Sequence, residues 1–355
     1  MATDVFSHSW LSGLFADDEL ADCLGESTSL QYMLAVEAAY ARSLGATGVV
    51  DSKIAGKAAE LIEAVQPDLA VLKTGTGNDG VVVPALVQEL KSAIPEHLHS
   101  AIHAGLTSQD VIDTSLVLAL KQICEIMASR LRTLSDALDV LIDNQGTNIL
   151  QGRTRMQAAK MITVADRLHS WRQPLATHLE RLEEISPRLL VIQLGGAVGN
   201  RAAMGESANA IADFMADTLK IGNASENWHN RRDSIAEFSG WLSLVTGTLG
   251  KMGQDITLMA QQGIDEIVLR QAGKSSAMPH KRNPITAELL VTLARFNATQ
   301  LSGMHHAMVH EQERSGSSWT LEWMILPQMI MTTGCALNTA LKIINDIEQV
   351  GQVDP

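Results

Sequence analysis

SQDVIDTSLVLALKQICEIMASRLRTLSDALDVLIDN, residues 108–144, contains neither glycine nor proline. Within it Ile112, Leu116, Ile123, Met127, Leu131, Leu134, Leu138 and Leu141 recur at helical spacing, which predicts one helix of roughly ten turns. Further helical patterns cover Met156–Ile185, with a kink expected at Pro174, then Glu206–Leu219, Trp228–Gln262, Ile285–Gln312 and Thr320–Ile347. In SLQYMLAVEAAYARSLG, Leu30, Leu34, Ala38 and Ala41 line one face; Thr28 or Ser29 can cap its start and Gly45 its end. Several of these helices exceed the usual globular length, so the expected fold is an extended all-α bundle. Glycines at 240, 247, 250 and 253 fall close to helical spacing and suggest close helix packing.

Bulk properties narrow the class. At 355 residues the chain exceeds the usual single core, so two domains are expected: a small N-terminal helical domain over 1–100 and a central long-helix domain over 101–355. A formal net charge of -13 disfavours nucleic acid and anionic membranes as partners. No apolar run is long enough to span a bilayer, and the N-terminus has no signal-peptide pattern. Three widely spaced cysteines argue against a disulfide framework, so a reduced cytoplasm is the expected compartment. Aromatic residues at 4% are few for a β-sandwich.

Polar or glycine-rich breaks occur at Lys73–Gly80, His103–Asp110, Gln151–Thr154, Leu194–Gly205 and Gly263–Pro284. Long parallel helices cannot bring all of these to one end of a single chain, whereas symmetric association can set breaks from neighbouring copies side by side. HAGLTSQDVIDT has two readings. Ser108 can cap the long helix while Asp110 and Asp113 favour its positive start, or the same exposed N–H groups and hydroxyls can hold a carboxylate. QLGGAVG misses the dinucleotide-binding glycine spacing and reads as a tight turn between helices. His306 and His310 lie one helical turn apart, but with no HExxH they read as solvated or partly buried, and no metal site is expected.

AGKSSAMPHKRNPITAE, residues 272–288, is different. Two prolines restrict its backbone, Gly273 frees it before a serine pair, Lys281 can stabilise an alkoxide, and Asn283 offers an amide donor to a carboxylate. It reads as a loop built to hold an anion.

SSAMPHKRNPITAE resembles the signature loop of the fumarase/aspartase superfamily, GSSxMPxKxNP followed by a glutamate. HAGLTSQDVIDT resembles that superfamily's second region and QGRTRMQAA its third, and the similarity runs from LQYMLAVEAAYAR to about Leu326. The HKRNP form narrows the choice to the adenylosuccinate lyase and carboxymuconate cycloisomerase branches. LLVIQLGGAVG, WHNRRDSIAEF and HEQERSGSSWTLEW are similar to the latter.

The resemblance implies an all-helical homotetramer whose active sites are shared between subunits, acting without metal or organic cofactor on a small tricarboxylate. The implied reaction is lactonisation of 3-carboxy-cis,cis-muconate to 4-carboxymuconolactone, in the protocatechuate branch of aromatic degradation. It implies Ser275 as the proton-transferring serine, with Lys281, His103 and Ser108 as catalytic partners. Substrate contacts are implied at Asn78, Thr107, Gln109, Arg153, Thr154, Gln157, His280, Asn283, Glu288 and Arg314.

Three departures stand out. Lys274 replaces a second loop glycine, Ala158 stands where the third region has an acid histidine, and the chain stops at Pro355, short of the family's usual C-terminal helical domain. Ala158 harms an amine-expelling lyase more than a cycloisomerase, because an attacking carboxylate needs no acid or base of its own and gains rate from being tethered. A fumarate-releasing lyase and an inactive scaffold are the alternatives.

Overall fold

The computed structural model describes residues 4–271, 273, 274, 278 and 281–352; Ser275 and His280 lie outside them. Twelve α-helices occur among the described residues. They are α1 Ser12–Phe15, α2 Asp18–Leu24, α3 Glu26–Ala46, α4 Ser52–Ala64, α5 Leu69–Asp79, α6 Val83–Ala93, α7 Ser108–Gln145, α8 Val164–Leu189, α9 Ala208–Leu219, α10 Asp233–Met259, α11 Ile285–Ala307 and α12 Gly316–Asp346. The strands form short pairs only. β1 Ile149–Thr154 pairs with β2 Gln157–Thr163, β3 Val191–Ile192 with β4 Gly222–Asn223, β5 Ile267–Leu269 with β8 Ile347–Val350, and β6 Gly273–Lys274 with β7 Arg282–Asn283.

The expected all-α architecture is what the chain adopts. The stretch 108–144 is one helix, and Ile123, Met127, Leu131, Leu134, Leu138 and Leu141 are buried along it. Helices α7, α8, α10, α11 and α12 pack side by side into a bundle. Their second core partners include Trp171 and Leu175 of α8, Phe238 and Trp241 of α10, Leu290 and Leu293 of α11, and Ile330 and Ala336 of α12. A separate apolar core joins α3, α4, α6 and α9 through Tyr40, Ile62, Leu86, Ile211 and Met215. Two of the four glycines admit a close helix crossing: a Cβ at Gly250 would lie 2.4 Å from that of Ala294, and one at Gly253 2.6 Å from the carbonyl of Ala287. Gly240 and Gly247 face open space.

Hydrogen bonds fix which helix ends share a level. At one end, here the head, Thr114 Oγ1 near the start of α7 donates to the Gln193 carbonyl just after α8 (3.0 Å). Trp319 Nε1 near the start of α12 donates to Asp113 Oδ1 (3.1 Å). At the other end, the tail, Gln145 Nε2 donates to the Glu348 carbonyl (3.2 Å), and the Ile149 amide donates to the Gln352 carbonyl (2.8 Å). The 38 residues of α7 separate head from tail by about 57 Å at 1.5 Å per residue.

Several local expectations are corrected. Residues 157–163 are strand β2 rather than the start of a helix, so α8 begins only at Val164. Lys73–Gly80 is no loop but the body of α5, closed by Gly80 in the left-handed region. The helix expected to start at Thr28 or Ser29 starts at Glu26 after Gly25. α10 and α11 stop short of Trp228 and Gln312.

Candidate active site

The head is built around the start of α7. Thr107, not Ser108, is the N-cap: its amide donates to Asp110 Oδ2 (3.0 Å) in a capping box. Asp110 has further work. Its carboxylate accepts from the amides of Gly195 (2.7 Å) and Gly196 (2.9 Å) and contacts His229 Nε2 (2.9 Å), pinning the QLGGAVG turn onto the helix start. That turn is, as expected, a bend between helices. Gln109 is fully buried; its Nε2 donates to Asp113 Oδ2 (3.1 Å) and to the His229 carbonyl (2.9 Å). Its Oε1 accepts from Arg314 Nε (3.0 Å), and Arg314 Nη2 reaches the Ala197 carbonyl (3.3 Å). Thus Gln109 and Arg314 meet across 205 residues of sequence. Gln109 thus holds the guanidinium, which is half-buried at the rim.

Beneath this lies a buried ionic cluster. Arg232 pairs with Asp113 (2.6 and 3.1 Å) and with Glu322 (2.5 and 3.0 Å), all three 2% exposed or less. Trp228 stacks on the guanidinium, 4.7 Å from its centre to the ring centroid. Burial opposes the Arg232 charge, but the two carboxylates more than offset it and its pKa is raised. Burial raises the Glu322 carboxyl, against the pull of Arg232. Such a cluster fixes geometry more than it adds stability, since desolvation consumes most of the Coulombic gain.

His310 packs close by. Burial followed by Arg232 lowers its pKa. His306 is exposed at the end of α11, so the two do not form a paired site; among the described residues no three His, Cys, Asp or Glu side chains could hold a metal ion.

The tail is more open. Arg153, Thr154 and Gln157 stand exposed on the β1–β2 hairpin, where Arg153 lies opposite Ala158 and Thr154 opposite Gln157. The position lacking a histidine therefore has a guanidinium as its cross-strand neighbour. Arg153 is tied to Glu266 (2.5 Å) and keeps 31% of its side chain exposed. Lys281 is exposed, and its amide donates to the Met278 carbonyl (3.0 Å). Asn283 is half-buried in β7 opposite Gly273, and Glu288 is exposed in the first turn of α11. Arg282 Nη2 ties the loop back to the Leu269 carbonyl (2.5 Å). Asn78 lies apart, exposed near the end of α5.

The structure thus gathers His103, Thr107, Ser108, Gln109 and Arg314 at the head, and Arg153, Thr154, Gln157, Lys281, Asn283 and Glu288 at the tail. Sequence reading missed Glu37, His229 and Glu322 at the head; Asp110 caps the helix as expected and also holds the turn, while Asp113 pairs with Arg232 instead. Arg232 lay inside WHNRRDSIAEF, but no local spacing marks it as the partner of residues more than 80 positions away on either side.

A sequence profile of the lyase family matches residues 15–298. The chain belongs to this family, within the fumarase/aspartase superfamily. The lyase relatives include the 3-carboxy-cis,cis-muconate cycloisomerase of Pseudomonas aeruginosa, 34% identical over 353 residues, covering 98% of this chain and 77% of that one. The trans-aconitate decarboxylase 1 of Mycosarcoma maydis is 28% identical over 95% of this chain and 69% of its own. Among solved structures, the 3-carboxy-cis,cis-muconate lactonizing enzyme of Pseudomonas putida superposes with a TM-score of 0.89 at 34% identity, over 96% of this chain and 77% of that one.

Proposed function

We propose that this lyase-family protein is a cycloisomerase that lactonises 3-carboxy-cis,cis-muconate to 4-carboxymuconolactone, a step of protocatechuate breakdown. The similarity along nearly the whole chain to enzymes named for this reaction carries the reading. The head and tail geometry explains how the chemistry would be done.

One carboxylate oxygen of the substrate adds to the conjugated double bond. A C–O bond forms, the π pair moves toward the neighbouring carboxylate, and the carbon beside it takes a proton. The trianion becomes a dianion and one proton is consumed. The developing enediolate needs donors placed in advance. Candidates are the Ser108 N–H at the α7 start and the Thr107 and Ser108 hydroxyls, with Lys281 and Asn283. Ser275 delivers the proton. Arg314 and Arg153 balance the remaining carboxylates in a chain that is otherwise acidic.

Head and tail groups lie about 57 Å apart along α7, too far for one substrate. We infer that antiparallel copies place the tail of one chain against the head of another, in a homotetramer working in the cytoplasm. Val140, Leu244 and Met324, exposed on three bundle helices, offer apolar surface for that association.

The direct test is loss of muconate diene absorbance on adding the protein. Turnover is expected, and Ser275→Ala should lower it by about 10³-fold with the fold intact. Near-normal turnover by that variant would remove the serine's role. Fumarate release from adenylosuccinate with no action on the muconate would establish the lyase alternative.

A further inference from the structure

His103 sits in an unusual place. Its backbone φ is +54°, a left-handed conformation that costs a non-glycine residue of order 1 kcal/mol and persists only where the surroundings hold it. Two side chains one turn apart on α3 do the holding. Tyr40 Oη donates to the Ala104 carbonyl (2.5 Å), and Glu37 Oε1 meets His103 Nδ1 (2.6 Å). Burial, then Asp110 and Glu37, push the Tyr40 hydroxyl's pKa well up, so it stays a donor.

Glu37 is fully buried, and its second oxygen has no hydrogen-bond partner. Its neighbours on α3 are Val36, Ala38, Ala39 and Ala41, all buried. A lone carboxylate in such surroundings is costly, and an apolar residue would pack there more favourably. Among the described residues the imidazole is its one side-chain partner, and it keeps 17% of its own side chain exposed.

We propose that Glu37 is a positioning residue for the head of the active site, fixing the tautomer and aim of His103 so that Nε2 faces the substrate. With Nδ1–H donated to Glu37, Nε2 carries the lone pair in the neutral ring and becomes a donor when the ring is protonated. Without the carboxylate either nitrogen could hold the proton, and the ring could turn within its left-handed turn. This rests on the proposed lactonisation only for what the histidine acts upon; the pairing itself stands independently.

The test uses Glu37→Gln, His103→Gln and the double variant in the full-length protein, with 15N-detected NMR of the imidazole assigned by its absence in His103→Gln. In the parent protein His103 should show the Nδ1–H form, and Glu37→Gln should shift it to a mixture. On the muconate, Glu37→Gln should lower kcat by about 10- to 100-fold with KM within about threefold, the range lost when an orienting partner is removed. In the His103→Gln background the same change should cost nothing further, because Glu37 acts only through that ring. An unchanged tautomer in Glu37→Gln, or an equal kcat loss with and without His103, overturns the proposal. If the parent protein leaves the muconate untouched, the lactonisation reading fails while the NMR result still decides the pair.

Discussion

The two ends of the bundle are built on opposite principles. At the head, Asp110 accepts four hydrogen bonds or close polar contacts, Gln109 uses both ends of its amide, and Arg232 is enclosed by two carboxylates and an indole. That end is completed within one chain. At the tail, the hairpin, Lys281 and Arg282 project exposed side chains. The side chain of Lys160, one of the exposed cations there, makes no hydrogen bond or ion pair with any described residue. The difference teaches that enclosure and reach are divided: the head is a preset cradle, and the tail presents its groups outward, as the proposed sharing of a site between copies requires.

Breaking the head should cost stability first. Arg232→Met strands Asp113 and Glu322 in a dry site, and a loss of about 3–5 kcal/mol is expected in chemical denaturation. A loss within about 0.5 kcal/mol would show the cluster to be solvated. Altering the tail should cost binding instead. Arg153→Ala removes a carboxylate partner at 31% exposure, and KM should rise about tenfold with the melting temperature nearly unchanged. Lys160→Ala should act in the same direction but more weakly, about two- to threefold in KM, since an exposed ammonium is screened. A melting shift larger than the kinetic one in either tail variant would contradict the division.

A further effect belongs to neither end. His178 lies mid-bundle, its Nε2 against Thr248 Oγ1 (2.8 Å), and burial followed by Arg181 pushes its pKa down to about 4. The unfolded chain would protonate it near 6.5 while the folded one resists. Its contribution is therefore full above that value and is lost as pH falls toward 4. His178→Gln should flatten the stability profile across that window, and an unaltered profile would remove the assignment.

Legibility follows the same physics. Long helices could be read because burying one stripe imposes a period on the sequence, as at Ile123 to Leu141. The hairpin could not. Residues 156–163, MQAAKMIT, are mostly good helix formers, and the turn places Arg155 (φ +50°) and Met156 (φ +67°) in the left-handed region without the usual Asn-Gly signal. In α5, Gly75 and Gly77 imitated a loop; a Cβ at Gly75 would sit 2.4 Å from that of Ala85, so that glycine serves close packing against α6. At the site, local motifs exposed the groups that would touch substrate. The residues behind them, Glu37, His229, Arg232 and Glu322, come from three distant segments, and only folding shows them as partners.

The most direct measurement mixes two crippled chains, His103→Gln at the head and Ser275→Ala in the 272–288 segment, after reversible dissociation and reassembly. If each site joins the head of one copy to the tail of another, hybrids should regain roughly a quarter of the parent activity, because one pairing in four escapes both lesions. Activity that stays at the sum of the two inactive parents, in assemblies shown to be mixed, would contradict a site shared between chains.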